Sequence, residues 1–353
     1  MAAFCAGSQR CEGRSTARRR VWRPGGRTEY ADVNIESVLI TGANGFIGKA
    51  LMRRFEEQGI KAVGVDLQGD GEGVLAGDIA NPEPWGHLLD RSQVVVHTAA
   101  LVTNALADED MWRVNVLATR NLIAAAKKHG VRRFVHVSSI VAYGNAATGE
   151  LDEEYPVHAH GGSYVRTKLA SEHVVLAAHA QHGMDVVIVR PGDVYGPGSR
   201  PWVIVPLEMI KKRQFILPAG GEGYFRPVYV DDLVRGIVAA AASDNASGQI
   251  FNLSSDGYVT TKTFFRHHHE WLGKSGPLCL PTGVAWGLAE STFRLGRMLG
   301  QRSEGSGASV LQLTSKAWFS IKKAEALLGW KPEISLAQGM DRSKSWAREQ
   351  GLL

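Results

Sequence analysis

Short apolar runs alternate with longer amphipathic segments between residues 37 and 255 of the chain. The apolar runs have the length and composition of buried strands and comprise Val38–Ile40, Ala62–Val65, Gln93–His97, Arg133–Val137 and Asp185–Arg190. Segments of helical length separate them, among them Phe46–Gln58, Asp108–His129 and Gly162–His182. Strands that alternate with helices in this way predict an α/β fold built on a doubly wound parallel sheet.

The alternation breaks up after about residue 196. Two later pieces, the helix Asp231–Ala242 and the strand Gln249–Leu253, still have the character of the sheet. We therefore predict a sheet domain over residues 35–196 that also receives about residues 229–255. Residues 197–228 and 256–353 are predicted to form a smaller, mixed subdomain.

Residues 1–34 are rich in Arg, Gly and Ser and show no apolar period, which predicts a disordered N-terminal extension. An Arg-rich, acid-poor composition is also typical of an organelle transit peptide, and an over-long reading of the start codon is equally compatible. This segment holds seven arginines and three acids, so it carries four of the five net positive charges. The remaining chain is close to neutral, which does not indicate a nucleic-acid partner.

The cysteine pattern restricts the compartment and the kind of site. Cys5, Cys11 and Cys279 form no C-x-x-C pair, which argues against a disulfide framework and a zinc site. We therefore expect no metal and a reducing, cytoplasmic compartment. No apolar run reaches about 18 residues, so we expect no stable insertion into a membrane.

A strand, a glycine turn and the start of a helix follow one another in Val38–Gly48. The glycines at 42, 45 and 48 allow a tight turn, a close approach to a pyrophosphate and close packing of the helix on its strand. Backbone N–H groups and the helix dipole then face the phosphates. The next strand ends in Asp66, whose carboxylate can accept hydrogen bonds from an adenosine ribose. Together these parts predict a dinucleotide site and hence a Rossmann fold.

Asp66 also bears on the choice between the two nicotinamide dinucleotides. Its carboxylate would repel a 2′-phosphate, and no arginine lies in the glycine loop or just after Asp66. We therefore predict NAD rather than NADP.

Ser139, Tyr164 and Lys168 offer the groups that hydride transfer between a secondary alcohol and a nicotinamide requires. A phenolate can take the hydroxyl proton as the hydride leaves, but free tyrosine ionises only near about pH 10. A neighbouring ammonium stabilises the phenolate, and a serine hydroxyl can hold the substrate oxygen. Tyr164 and Lys168 lie four residues apart on one helix face, and Ser139 ends the preceding strand. All three can converge at the carboxyl edge of the sheet.

Eight motifs in order make the chain resemble the extended short-chain dehydrogenase/reductase family over about residues 37–350. They are T-G-A-N-G-F-I-G (41–48), G-D-I (77–79), T-A-A (98–100), V-N-V-L-A-T-R-N-L (114–122), H-V-S-S-I-V-A-Y-G (136–144), Y-V-R-T-K (164–168), R-P-G-D-V-Y-G-P-G (190–198) and R-P-V-Y-V-D-D-L (226–233). The family includes NAD-dependent epimerases and dehydratases of nucleotide sugars and enzymes of the 3β-hydroxysteroid dehydrogenase type. The resemblance implies NAD as cofactor, a small-molecule substrate bound by the C-terminal subdomain, and a homodimer.

The resemblance also implies roles for individual residues. Ser139, Tyr164 and Lys168 become the catalytic set, with Tyr164 as acid/base and Lys168 lowering its pKa and binding the nicotinamide ribose. Cofactor contacts are implied for Gly42, Asn44, Gly45, Phe46, Ile47, Gly48, Asp66, Asp78, Ile79, Thr98, Ala99, Ala100, Asn115, Val137, Tyr164, Lys168, Pro191, Gly192 and Val194. Substrate contacts are implied for Ser139, Tyr195 and Arg226.

Arg226 and three other groups of residues also have structural explanations. Arg226 matches a position where many sugar-nucleotide relatives bind a phosphate, although a salt bridge to Asp231 or Asp232 is equally compatible. Consecutive helical residues point about 100° apart, so His267–His269 are predicted to lie on a solvated helix face rather than on a metal. Core positions are predicted for Trp85, Trp112, Trp271, Trp318 and Trp330, and for His97 and His136 as satisfied core histidines.

Three functions remain open on the sequence. The first is an NAD-dependent dehydrogenase or ketone reductase of the 3β-hydroxysteroid type. The second is a nucleotide-sugar epimerase or dehydratase, in which the hydride returns to the same substrate. The third is a non-catalytic dinucleotide sensor, which the complete catalytic set disfavours.

The region after Pro281 favours the first of these functions. It carries apolar positions at Val284, Trp286 and Leu288, which predict an apolar helix over the cleft. A diphosphate would need positioned cations, and Arg226 and Arg200 are the candidates that the sequence offers.

Overall fold

The computed structural model describes residues 35–103, 107–144, 147–298 and 307–353. The predicted disordered extension, residues 1–34, lies outside the described residues. Residues 35–353, as far as they are described, belong to one compact unit, and the boundary between the two predicted subdomains stays a prediction. In the described part of the chain, no helix combines the length and apolar character needed to cross a membrane.

Seven parallel strands form the central sheet. In chain order they are β1 (Ser37–Thr41), β2 (Lys61–Asp66), β3 (Val74–Ala76), β4 (Val94–His97), β5 (Arg133–Val137), β6 (Asp185–Pro191) and β7 (Ile250–Leu253). Their spatial order is β7-β6-β5-β4-β1-β2-β3, with parallel pairing throughout this sheet. The order reverses between β1 and β4, so a crevice suited to a ligand opens at their carboxyl ends. The predicted doubly wound sheet is confirmed.

Some of the helices cover both faces of this sheet, and others belong to the C-terminal part of the chain. The helices are α1 (Phe46–Glu57), α2 (Asp108–Trp112, continued by Arg113–Ala118 and Thr119–Lys128), α3 (Ser163–His182), α4 (Val205–Lys211), α5 (Val230–Ala242), α6 (Thr261–Trp271), α7 (Thr282–Met298), α8 (Gly307–Thr314), α9 (Lys322–Leu328) and α10 (Leu336–Glu349). Shorter helical turns span Glu83–Arg91, Ile140–Tyr143, Arg200–Ile204, Ala219–Gly221 and Asp244–Ala246.

The alternation of side chains along a strand explains the two helical layers, because successive residues point to opposite faces of the sheet. Ile40 of β1 belongs to one core cluster with Leu51 of α1. Its neighbour Leu39 belongs to a second cluster with Leu122 of α2 and Val175 of α3. Because both faces are buried, the strands contain continuous apolar runs rather than an alternating pattern.

Small two-stranded sheets join the C-terminal part of the chain to the central domain. Lys316–Phe319 pairs in parallel with Thr148–Leu151, and Pro227–Tyr229 pairs in parallel with Asp193–Tyr195. Two more pairs are Ile216–Leu217 with Leu278–Cys279 and Tyr224–Phe225 with Val259–Thr260. These strands are too short to leave a periodic signal in the sequence, and the sequence analysis missed them.

Candidate active site

The glycine turn between β1 and α1 has the geometry that the sequence predicts. Gly42 has a φ of 71°, and a Cβ there would lie 2.7 Å from the backbone nitrogen of Ala99. A Cβ on Gly48 would lie 2.1 Å from the carbonyl oxygen of Gly42, so α1 can approach the turn only with glycine at this position. A Cβ on Gly45 would meet only Gly42 O within 4 Å, so the space in front of the helix stays open. The first N–H groups of a helix have no partner inside it, which leaves them for an anion.

Asp66 connects the end of β2 to the glycine turn. Its Oδ2 accepts a hydrogen bond from the backbone N–H of Asn44 at 2.9 Å, and its Oδ1 accepts one from the N–H of Leu67 at 2.7 Å. The Asn44 side chain donates to the carbonyl of Gln68 at 2.6 Å. Each carboxylate oxygen has a second lone pair, so the half-buried carboxylate retains acceptor capacity for a ribose.

The end of β4 forms the next wall of the crevice, and Asn115 holds it. The amide of Asn115 accepts a hydrogen bond from Leu101 N at 2.8 Å and donates to Leu101 O at 3.0 Å and Thr167 Oγ1 at 3.1 Å. Both amide hydrogens are thereby used, so Asn115 shapes the wall and has no donor left for the cofactor contact that was predicted. It lies in Arg113–Ala118, where the predicted helix widens into π-helical turns, a feature often found at functional sites.

Ser139, Tyr164 and Lys168 meet at the carboxyl edge of the sheet. Ser139 caps the helical turn Ile140–Tyr143, and its Oγ accepts a hydrogen bond from Val141 N at 3.3 Å. The Ser139 side chain lies near enough to the phenol of Tyr164 to lower its pKa. Lys168, one turn further along α3, is buried and donates from Nζ to the carbonyl of Val137 at 2.9 Å.

Burial dominates the acid–base properties of this set in the protein without cofactor. Burial raises the pKa of Tyr164 to about 12 and outweighs the effect of Ser139, which lowers this pKa. Burial also lowers the pKa of Lys168 to about 8 and outweighs the negative charge of Glu172, which raises this pKa. The Lys168 ammonium group donates to the Val137 carbonyl, and the predicted lowering of the Tyr164 pKa by Lys168 stays a prediction.

The segment after β6 lies beside this set. A Cβ on Gly192 would lie 2.5 Å from Ser254 Oγ and 2.6 Å from the carbonyl of Arg226, so the chain passes here only with glycine. Pro191 is buried and Val194 is half-buried. At the far edge, beyond β3, Asp78 is exposed and its Oδ1 accepts a hydrogen bond from Ala80 N at 2.8 Å, whereas Ile79 packs into the core.

Arg226 has a different partner from those predicted. It is only 4% exposed, and its Nε lies 3.2 Å from Oδ2 of Asp193, the same oxygen that accepts its backbone N–H at 3.0 Å. Its guanidinium also donates to the Tyr224 carbonyl at 2.7 Å. The expected bridge to Asp231 or Asp232 is absent, since Asp232 pairs with Arg235 at 2.7 Å.

Tyr195, predicted to contact the substrate, is buried in the core. It is 1% exposed, its ring packs edge-on against Tyr229 and Phe264, and its hydroxyl approaches Gly339 of α10 so closely that a Cβ there would lie 2.2 Å away. The pairing of Asp193–Tyr195 with Pro227–Tyr229 turns this side chain inward, and its contact with a substrate stays a prediction.

Of two cavities described below, the smaller one lies next to the catalytic set and the larger one does not. A small cavity beside Ser139 is lined by Ile140, Val141, Gly144, Ala317, Phe319, Arg226, Gln312 and Ser315. A larger groove of about 590 Å³ is lined by charged residues of Glu150–Glu154 and by Ser320, Lys322 and Lys323. The larger groove contains none of the predicted site residues, so size alone does not identify the site.

Residues outside the catalytic set agree with expectation in some cases and differ from it in others. His97 is a satisfied core histidine, with ring nitrogens 2.7 Å from Thr41 Oγ1 and 2.9 Å from Thr119 Oγ1. His268 is buried and bonded to the Trp202 carbonyl at 2.8 Å, so the predicted solvated histidine face is wrong. Trp112 is 40% exposed and not a core residue. No metal-binding cluster of His, Cys, Asp and Glu occurs in the described ranges.

The sequence analysis missed the charged residues that surround the set. Glu172 and Arg190 form a buried ion pair at 2.7 Å, and Asp193 pairs with Arg226. The signal for Glu172 was present, since it follows Lys168 by one helical turn and so lies on the same face of α3. The partners of Glu172 and Asp193 come from other elements, which no spacing rule connects.

Comparisons with known proteins agree with this geometry. The family model "NAD dependent epimerase/dehydratase family" matches residues 38–254. The sterol-4-alpha-carboxylate 3-dehydrogenase (decarboxylating) of Candida albicans is 26% identical, over 90% of this chain and 99% of its own length. A dTDP-glucose 4,6-dehydratase of Streptomyces griseus is 26% identical, over 88% of this chain and 93% of its own length. The solved structure of MoeE5 in complex with UDP-glucose and NAD is 25% identical, with a TM-score of 0.73 over 89% of this chain and 99% of that chain.

Proposed function

Since the chain belongs to the NAD-dependent epimerase/dehydratase family, we propose that it is an NAD-dependent oxidoreductase that moves a hydride between the nicotinamide and a secondary alcohol or ketone. The observation that carries the proposal is that Ser139, Tyr164 and Lys168 come together at one edge of the sheet, with Lys168 one turn along the helix from Tyr164 and bound to the Val137 carbonyl.

The residues present fit the cofactor of this family, which confirms NAD as predicted. The open side of Gly45 and the N-terminus of α1 would hold the pyrophosphate, and Asp66 would hold the adenosine ribose. Lys168 would bind the nicotinamide ribose. Bound NAD supplies the carbon that accepts or releases the hydride.

The chain supplies the proton transfer. Ser139 holds the substrate oxygen, and Tyr164 exchanges a proton with it. Because the pKa of Tyr164 is raised to about 12, the phenol is protonated at neutral pH and is ready to protonate a ketone oxygen, the reductive direction. Oxidation of an alcohol starts from the phenolate and requires that this pKa fall in the loaded site.

We further propose a mostly apolar alcohol or ketone, of the 3β-hydroxysteroid dehydrogenase type, as the substrate. Apolar side chains of Ile140, Val141, Ala317 and Phe319 border a small cavity of about 10 Å³ next to the turn that follows Ser139, and a substrate would have to widen it. Arg226, the cation that borders it, is neutralised by Asp193 and has no free charge to offer a diphosphate. Apolar walls bind through burial, at roughly 25 cal/mol per Å².

The second candidate is a nucleotide-sugar epimerase or dehydratase. It is supported by the position of Arg226 at the cavity and by relatives whose names refer to nucleotide sugars. It requires Arg226 to exchange Asp193 for a phosphate oxygen when substrate binds.

The reaction class is tested by Tyr164→Phe. The variant should lose turnover by about a hundredfold or more, because the proton donor is gone, while the Kd for NADH stays nearly unchanged. NADH formation or consumption is followed across sterols, small alcohols, ketones and nucleotide sugars. Tyr155→Phe, a half-buried tyrosine outside the set, is the matched control. Turnover by Tyr164→Phe within about tenfold of wild type would refute the role.

The substrate class is tested by the double variant Asp193→Asn/Arg226→Met. Removing both charges avoids leaving one buried and unpaired, which a single Arg226→Ala would do. On the proposed reading, the KM for the apolar substrate stays within about threefold of wild type. If a nucleotide sugar is turned over and its KM rises about a hundredfold at unchanged melting temperature, the second candidate replaces the first.

A further inference from the structure

One buried carboxylate joins three elements at the catalytic edge. Oε1 of Glu172, on α3, accepts hydrogen bonds from Ser138 Oγ at 2.5 Å and from Arg190 Nε at 2.9 Å, and Oε2 accepts one from Arg190 Nη2 at 2.7 Å. Ser138 follows β5 and directly precedes Ser139, and Arg190 lies on β6. Glu172 therefore ties the serine segment and a neighbouring strand to the helix that carries Tyr164.

Arg190 extends this connection to the other end of the serine segment. Its guanidinium carbon lies 4.5 Å from the ring centre of Tyr143. The Tyr143 hydroxyl lies 2.9 Å from Asn252 Oδ1 and from the Asp152 carbonyl. Tyr143 ends the helical turn that Ser139 begins, so both ends of residues 138–143 are linked to Glu172.

Stability alone is a weak reason for this arrangement, because desolvation of two buried charges largely offsets their attraction. We propose that Glu172 is a positioning residue that locks the Ser139 segment, through Ser138 and Arg190, against the face of α3 that carries Tyr164 and Lys168. The inference rests on the proposed function for its catalytic consequence, and the placement of the Glu172 charge beside Lys168 can be tested without any substrate.

The groups that face Lys168 come from three elements. His97 of β4 and His136 of β5 are both buried, which lowers the pKa of His97 to about 3 and that of His136 well below its usual value. Both histidines are therefore neutral at pH 7. On α3, Tyr164 is also neutral, and Glu172 is the charged group that raises the pKa of Lys168 against the effect of burial.

The sign of the pH effect follows from the lowered pKa of Lys168. The unfolded chain keeps this proton up to the ordinary pKa of 10.5, whereas the folded protein releases it near about 8. The free energy of unfolding therefore contains a contribution from Lys168 that rises with pH from about 8. Without the charge of Glu172, this rise should begin at a lower pH.

The first test measures urea unfolding of the cofactor-free protein between about pH 6 and about pH 9.5. Wild type is compared with Lys168→Met, and Glu172→Gln is compared with Glu172→Gln/Lys168→Met. Each difference isolates the contribution of Lys168 to the free energy of unfolding. In Glu172→Gln, we expect the Lys168 contribution to the free energy of unfolding to begin rising at a pH lower by about one unit or more. This pH is called the onset below. An onset that stays near that of wild type overturns the inference.

An ion pair elsewhere in the sheet, between buried Arg133 and half-buried Asp185, is the control. Asp185→Asn breaks the pair between Arg133 Nε and Asp185 Oδ2, which are 2.8 Å apart, and should lower stability without moving the onset. If Asp185→Asn moves the onset as far as Glu172→Gln does, the effect belongs to any lost ion pair and the inference fails.

The second test uses a substrate that the wild type turns over. Glu172→Gln should lower kcat by about tenfold or more, with KM and the Kd for NADH within about threefold, because Ser139 loses its register with Tyr164. Glu172→Asp keeps the charge and should restore the onset of wild type but not the full kcat. A kcat within about threefold of wild type in both variants overturns the inference. Failure of the proposed function would give a different result. The wild type would then turn over no alcohol or ketone, although Glu172→Gln would still move the pH at which the Lys168 contribution begins to rise.

Discussion

At the scale of the residue, the carboxylate of Asp66 has two roles. Its oxygens hold the glycine turn through Asn44 N and the chain after β2 through Leu67 N. The same carboxylate would accept hydrogen bonds from the ribose and repel a 2′-phosphate. Replacing it by alanine would therefore disturb the turn as well as the selection of cofactor, and the two effects must be separated.

Asp66→Asn separates them, because asparagine keeps the shape and an acceptor oxygen but removes the charge. We expect the preference for NADH over NADPH to narrow by about tenfold or more, equivalent to about 1.4 kcal/mol. Fluorescence titration of both cofactors measures it. Asp70→Asn is the control, since Asp70 also accepts backbone N–H groups, from Glu72, Gly73 and Val74. Tighter binding of NADPH than of NADH by the wild type would contradict the role of Asp66.

At the scale of the element, the unit β1–turn–α1 is set by close backbone approach. α1 begins directly after Gly45 and lies so close to the turn that position 48 has no room for a Cβ. α3 works differently, because the periodicity of the helix places Tyr164, Lys168 and Glu172 on one face. The first element is the proposed anion site, and the second one is the proposed proton-transfer site.

Gly48→Ala tests the first element. The new Cβ would lie 2.1 Å from Gly42 O and 2.8 Å from the Cα of Ala43, both backbone atoms that can yield only by moving the turn. We expect a loss of about 1–3 kcal/mol in the free energy of unfolding and weaker binding of NADH. Gly287→Ala on α7 is the control, because its Cβ would meet nothing within 4 Å. Unchanged stability and cofactor affinity in Gly48→Ala would argue against the tight turn.

At the scale of the whole molecule, distant segments complete the site. Lys316–Phe319 pairs with Thr148–Leu151 and brings Ala317 and Phe319 to the cavity beside Ser139. The predicted apolar side chains of α7, Val284, Trp286 and Leu288, are instead exposed. Apolar walls near the catalytic set therefore come from the helical turn after Ser139 and from the strand at 316–319. A homodimer stays a prediction.

The sequence by itself determined the features that short-range rules govern. Alternating apolar runs led to the parallel sheet, since strands buried on both faces require them. The glycine spacing led to the turn before α1, and four-residue spacing brought Tyr164 and Lys168 together, because helix geometry is the same in every protein. The family motifs led to NAD and to the family to which the chain belongs.

Only the tertiary structure decided which charges are free and which side chains reach the site. Arg226 pairs with Asp193 and Glu172 with Arg190 because residues distant along the chain meet at one sheet edge. Tyr195 is buried because a short strand pairing turns it inward. Burial and ion pairing depend on residues of other elements that pack against a side chain. The local spacing of residues along the chain does not indicate which distant residues these are.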